Sequence, residues 1–279
     1  MLRQRILTAI VLLLIIAAAV TAATPWPMLA LLGIMTGCAL WEWWRLVWSH
    51  PWARSAGAVV LVIALGVASR LLVDGQPGLA ALFHAGLLPL AVLFWLLAAP
   101  AMVLRAQVPA QCPTAGLALA GLLVLVATWY ALAWLFVRHG AAALVSLWAL
   151  VWCADIAAYF VGRGLGRHKL APRVSPGKSW EGALGGVVFA TLWLLACAAW
   201  WPGSYGALLL PRLGWPALAA VGAVLAAWSI IGDLFESLLK RRAGVKDSSH
   251  LLPGHGGVYD RIDAVLPVAP AAALLLIIG

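Results

Sequence analysis

Charge is what this chain has least of. Only 10% of its 279 residues are Asp, Glu, Lys or Arg, whereas 65% are hydrophobic, and the mean hydropathy is +1.03. A soluble domain carries about a quarter charged residues, so a water-soluble globule is excluded. Acid is scarcer than base, with nine Asp and Glu against eighteen Lys and Arg. Cysteine is scarce as well. Cys38, Cys112, Cys153 and Cys197 show no CxxC or other metal spacing, so neither a zinc site nor a disulfide framework is expected. Three of the four lie inside apolar runs, where a lone cysteine behaves as a small hydrophobe. The short alternating segments of a membrane β-barrel are missing too, since runs such as ILTAIVLLLIIAAAV are uninterrupted. Nor is there a GxxxxGK[ST] phosphate loop.

What is present is one apolar run after another. About 20 such residues cross a bilayer core as a helix, and helix is required because lipid offers nothing to an unpaired backbone amide. The fold expected is therefore all-α: a polytopic integral membrane protein of about nine transmembrane helices. They fall near 6–23, 27–44, 56–73, 80–104, 115–137, 141–161, 182–201, 213–232 and 264–279. Residues 1–140 form an N-terminal set of helices, and 141–279 a region with two polar loops, 162–181 and 233–263. WEWWRLVW places Glu42 and Arg45 among tryptophans, a composition suited to a helix end at the headgroup level. Most of the 17 tryptophans sit near span ends, as interfacial anchors do. With the N-terminus inside, fifteen of the eighteen basic residues fall in cytoplasmic connections, and only Arg70, Arg138 and Arg212 outside, as the positive-inside rule requires. The first run, with Arg3 and Arg5 ahead of it and AAVTAATP behind, has a second reading as a cleaved signal peptide. Its length fits a span better.

The few acids are concentrated. Seven of the nine lie after position 150: Asp155, Glu181, Asp233, Glu236, Asp247, Asp260 and Asp263. Taken singly, each reads equally well as an interfacial cap or a partner for a nearby Arg. Seven around two loops ask for more, because an ionisable group near membrane depth is costly and marks a functional site. Asp260 and Asp263, three apart in DRID, are neighbours on one face if a helix starts there. Two carboxylates that close repel unless a cation lies between them. Oxygen ligands alone suit Mg²⁺, which usually shares a phosphate with its protein site, and Asp233 can complete the set from the preceding helix. The plainer alternative is an acidic first turn offsetting the helix dipole, which accounts for Asp263 but not for three acids around one basic loop.

That loop also carries Lys240, Arg241, Arg242 and Lys246. By themselves they read as a juxtamembrane patch for anionic headgroups. The adjacent GHGG, 254–257, adds backbone able to approach a phosphate and to form an anion nest, so together they describe a polyphosphate site. His255 reads equally as a phosphate donor, an acid/base or a structurally bonded loop histidine. In the other loop, GRGLGR is a weak phosphate-loop match without a strand before it. SPGKS offers Ser175, Lys178 and Ser179 around a Pro176–Gly177 turn, and Glu181 follows at the head of the next span, where the helix dipole favours it. His50, His84, His139 and His168 show no ligand spacing.

The run SLLKRRAGVKDSSHLLPGHGGVYDRID, from Ser237 to Asp263, resembles the C-terminal signature of the phosphatidate cytidylyltransferases (CDP-diacylglycerol synthases). Ser237, Lys240, Arg241, Lys246, Asp247, His255, Gly256, Gly257, Asp260, Arg261 and Asp263 all fall in its register. SPGKSWEG is similar to that family's SPxK[ST]xEG element, and Asp155 with Ala158 and Tyr159 to its DxxAY element. Ile156 departs from the hydroxyl residue that often follows the Asp there. The match is close in the second half of the chain; the first half agrees only in being hydrophobic, apart from WEWWRL.

The resemblance implies a nucleotidyltransferase of phospholipid biosynthesis: CTP and phosphatidate give CDP-diacylglycerol and pyrophosphate. It implies Mg²⁺, with K⁺ as a second cation, a multi-pass inner-membrane location with the site facing the cytoplasm, a homodimer, and no nucleic-acid partner. Asp233, Lys240, Arg241, Lys246, Asp247, His255, Asp260, Arg261 and Asp263 are then expected to serve catalysis, with Asp233, Asp260 and Asp263 on the metal. Asp155, Tyr159, Ser175, Pro176, Lys178, Ser179, Glu181, Ser237, Gly256 and Gly257 are expected to bind substrate. A transporter for an anionic solute would want charge within spans, and these are nearly bare. A CDP-alcohol phosphotransferase would need DGxxAR, which is absent. A transferase acting on another lipid phosphate stays open, since any tail would meet generic apolar helix.

Overall fold

A computed structural model of the chain describes residues 2–48, 50–106 and 114–278. Cys112 lies outside the described residues, as do the side chains of Arg3 and Arg5. The helices are α1 (Leu2–Thr21), α2 (Trp26–Val47), α3 (Pro51–Val73), α4 (Pro77–Arg105), α5 (Thr114–Leu165), α6 (Trp180–Trp200), α7 (Tyr205–Arg242), α8 (Tyr259–Ile262) and α9 (Val265–Ile278). Proline near the first helical positions starts α2, α3 and α4, where its missing N–H costs nothing. Ser179 and Ser204 cap α6 and α7, their hydroxyls accepting from Gly182 and Ala207 N–H groups at 3.2 Å.

The protein is thus a helical membrane protein. Among the described residues, five helices are long and apolar enough to cross a membrane (α3 to α7), with shorter apolar helices at Ile6–Thr21 and Val265–Ile278. Nine spans were expected. Helix and span counts differ partly because α5, at 52 residues, would reach about 78 Å if straight, far beyond a bilayer. It breaks at Gly140, where φ is +83°, a backbone state that glycine alone adopts without strain. Helix α7 breaks likewise at Gly214, between Pro211 and Pro216. Helix α4 instead carries π-turns at Phe83–Leu87 and Phe94–Ala98.

The fold is all-α apart from one short antiparallel hairpin, in which Lys169–Ala171 (β1) pairs with Ser175–Ser179 (β2). SPGKS is therefore strand rather than turn. The reversal lies at 172–174, where buried Val174 anchors it. The tryptophans are not all interfacial anchors. Trp43, Trp95 and Trp129 belong to the core, and Trp43 donates its indole N–H to the Leu117 carbonyl at 2.9 Å. Glu42 beside it is fully buried. Lipid offers no hydrophobic drive between helices, so polar and aromatic contacts of this kind hold the bundle in register. Cys38, Cys153 and Cys197 sit as free thiols in helices.

Helix α6 packs most extensively, on α5 and on α7, and α9 inserts against α5 and α7. Helix α7 approaches the start of α9 tightly at Gly232. A methyl there would meet the Asp263 carbonyl, Pro267 Cδ at 2.9 Å and Ala264 Cα at 3.1 Å. Backbone cannot yield as a side chain can, so Gly232→Ala is expected to destabilise by about 1–3 kcal/mol. It should also separate Asp233 from Asp263. Thermal unfolding in detergent checks this; an unchanged midpoint would mean that the two helices have slack.

Candidate active site

Helix α7 brings Asp233, Glu236, Ser237 and Lys240 to its C-terminal end at i, i+3, i+4 and i+7, the spacing that lines up one helical face. The second limb of α5 does the same with Asp155, Tyr159, Gly162 and Arg163. Between them and the hairpin lies an open cavity of about 730 Å³. Its lining includes Asp155, Tyr159, Arg163, Ser175, Lys178, Ser179, Asp233, Glu236, Lys240, Asp247, Asp260, Arg261 and Asp263. Residues from both polar loops therefore meet in one place, although 108 positions separate Asp155 from Asp263.

Its floor is acidic. Asp233, Glu236 and Asp263 each place a carboxylate oxygen within 4.8 Å of the other two. Burial, with Asp233 beside it, pushes the Asp263 carboxyl well above its ordinary range, as a like-charge cluster should. Lysines offset part of this charge. Lys178 Nζ lies 2.6 Å from Asp233 Oδ2, and Lys240 Nζ lies 2.5 Å from Glu236 Oε2. Glu236 Oε1 is buried with no hydrogen-bond partner. An unsatisfied carboxylate oxygen in a group of hard oxygen donors is the surrounding a Mg²⁺ ion takes, so these three residues fit that ion.

Asp260 is placed otherwise than the sequence suggested. Its Oδ1 accepts from Lys240 at 2.9 Å. Its Oδ2 accepts from Gly257 N–H at 2.7 Å and from the Ser248 N–H and hydroxyl at 3.0 Å. Burial alone would raise this carboxyl, but neighbouring Glu236, the Gly257 amide and Lys240 together bring it below the usual carboxylate range. With its lone pairs so occupied, it lies outside the carboxylate trio. The glycine turn explains why. Gly256, at φ +82°, leaves room where a methyl would stand 2.6 Å from Asp260 Oδ2. The anion that this turn wraps is the protein's own side chain.

The remaining expected residues divide. Arg261 faces the cavity while its guanidinium donates to the His255 carbonyl at 2.8 and 3.2 Å. Arg163 donates to the Tyr159 hydroxyl at 3.0 Å, and the Ser237 hydroxyl points to Asp233 Oδ1 at 3.5 Å. Ser179 lines the cavity but is committed as a helix cap. Glu181 turns away to close the hairpin. It accepts from the Arg167 and His168 amides at 3.1 and 3.2 Å and lies 2.7 Å from His168 Nδ1. Arg241, Lys246 and Pro176 are exposed outside the cavity lining. His255 is half-buried, with Nδ1 unpartnered.

Sequence reasoning left Glu236 out of the site, although DLFE offers the same i, i+3 spacing from Asp233 that singled out DRID. It also missed Ser248, whose role arises from a loop closure with no local signal.

Comparison with known proteins is consistent across the chain's length. A model described as "Cytidylyltransferase family" matches residues 3–278. The chain is similar to a phosphatidate cytidylyltransferase of Pseudomonas aeruginosa, 39% identical over 283 aligned residues covering 99% of this chain and 97% of the relative. Proteins of the same description from Haemophilus influenzae and Bacillus subtilis match over shorter stretches. The first is 46% identical over 47% of this chain and 44% of its own length. The second is 43% identical over 46% and 44%.

Proposed function

Because this chain belongs to the cytidylyltransferase family and is therefore a nucleotidyltransferase, we propose that it makes CDP-diacylglycerol from CTP and phosphatidate, with Mg²⁺, in phospholipid synthesis. The observation that carries this reading is the single cavity in which the acidic trio, Lys178, Lys240 and Arg261 converge at the ends of apolar helices. A substrate with acyl chains reaches such a site from the bilayer, and a nucleotide from the aqueous side. With the polar loops on the cytoplasmic face, both substrates meet there.

In the reaction, an anionic phosphate oxygen of phosphatidate attacks the α-phosphorus of CTP. A new P–O–P linkage forms, the α–β phosphoanhydride breaks, and pyrophosphate leaves with the electron pair. The nucleophile is already charged near neutral pH, so no strong general base is needed. The obstacle is repulsion between two polyanions. Asp233, Glu236 and Asp263 would hold Mg²⁺, which supplies charge neutralisation at the phosphates. Lys178 on β2 and Lys240 on α7 approach from opposite loops, each tethered to an acid of the trio, and can lend their remaining ammonium protons to phosphate oxygens. Arg261, fixed by the His255 carbonyl, adds a planar donor. Such groups act by positioning and by electrostatics, and well-oriented reactants can save about 7–11 kcal/mol of barrier.

Purified protein incubated with radiolabelled CTP, phosphatidate and Mg²⁺ should yield a labelled liponucleotide by chromatography. The product should vanish on chelation. Label recovered only as unchanged CTP would overturn the assignment.

A further inference from the structure

Helix α8 is four residues long, and Val258 at its N-cap provides no side-chain cap. The cap arrives from 216 residues upstream. Glu42, in the last turns of α2, accepts from the Val258 N–H at 3.0 Å and the Tyr259 N–H at 2.5 Å. It also accepts from the Ser249 hydroxyl. One turn on, Arg45 donates to the Ser248 carbonyl at 2.8 Å. Trp43, between them, packs its ring against Tyr259 at 5.3 Å and Phe235 at 5.5 Å.

Both limbs of the 248–259 segment are therefore gripped by one helix end. The grip leads directly to the cavity, because Ser248 supplies two of the bonds to Asp260, and Asp260 in turn holds Lys240. Glu42 is 0% exposed, and a carboxylate so buried is tolerated only when hydrogen bonds satisfy it. Here the donors all come from the segment it holds. The junction is tight: a methyl on Gly257 would stand 2.7 Å from Glu42 Cδ.

We propose that Glu42 is a positioning residue for nucleotidyl transfer. By docking the 248–259 segment, it fixes Asp260, which in turn holds Lys240, so that the cations of Lys240 and Arg261 meet the phosphates of CTP. This rests on the function proposed above, and the residue touches no substrate itself.

Glu42→Gln tests it, since an amide N–H would face donors where an oxygen now accepts. In this variant the KM for CTP should rise about tenfold as kcat falls, the consequence of leaving buried donors unpaired. Mere loss of folded protein would lower kcat at constant KM. Limited trypsin digestion supplies a readout independent of activity. Cleavage at exposed Lys246 should accelerate about tenfold, while the rest of the chain keeps its wild-type digestion pattern. Should Glu42→Gln fail to fold, Ser249→Ala removes one donor with little change of volume and should move both readouts the same way by less. An unchanged KM for CTP with unchanged cutting at Lys246 would overturn the proposal, as would uniformly faster cutting along the whole chain. If wild-type protein makes no liponucleotide, the functional assignment falls while the trypsin comparison still reports whether Glu42 holds the segment.

Discussion

Asp263→Asn is expected to reduce CDP-diacylglycerol formation by about 10²–10³-fold, the scale of losing one preorganised charge-stabilising group. The protein should stay as stable in detergent, or become more so. The two effects have one cause. Asp263 lies within 4.8 Å of Asp233 and Glu236 by ligand atoms, and its carboxyl is pushed well above the ordinary range by burial and by Asp233. Without a divalent ion this crowding is unfavourable, so a neutral amide of the same shape relieves it. With the ion, the same crowding becomes affinity, which the amide gives up. Mg²⁺ should therefore raise the melting temperature of the wild type and not that of the variant. Mass action predicts about 2.7 kcal/mol of stabilisation at a hundredfold excess over the dissociation constant. Thermal melts with Mg²⁺ and with chelator check this. A wild-type melting point indifferent to Mg²⁺ would remove the trio as its site.

Much of the site was legible in the sequence because its chemistry is scarce there. In a chain with nine acids, seven clustered around two loops are conspicuous, and Asp155, Lys178, Asp233, Lys240 and Asp263 all reach the cavity. What could not be read was which acid faces which partner. DRID and DLFE carry the same spacing, and only the fold decides between them. Asp260 spends its lone pairs on Lys240, Ser248 and the Gly257 amide, whereas Glu236 keeps an oxygen free. The SPGKS hairpin was also hidden, because Pro and Gly are turn residues by propensity. Its register is set instead by Lys169 and Ala171 pairing with Ser179 and Ser175. The burial and bonding of Glu42 were hidden as well, since composition does not reveal that a loop two hundred residues away folds back to it.

Lys240→Met should be the most destabilising single change at the site, by about 3–5 kcal/mol. Its ammonium is shared between Glu236 Oε2 at 2.5 Å and Asp260 Oδ1 at 2.9 Å, acids whose side chains are only 2% and 5% exposed. Removing the shared cation strands two carboxylates away from water, which costs far more than the pair is worth relative to an apolar replacement. Methionine preserves most of the chain's volume, so lost packing contributes little. The double variant Lys240→Met with Glu236→Gln separates charge from shape, because neutralising one stranded acid should restore a large part of the melting temperature. Activity should stay lost in both, since Glu236 and Lys240 are each assigned to the cavity's charge pattern. Restored activity in the double variant would mean that Lys240 serves only as a counter-ion, leaving Lys178 and Arg261 to meet the phosphates. A double variant no more stable than Lys240→Met alone would show that the penalty lies in the lost Asp260 contact rather than in the Glu236 charge.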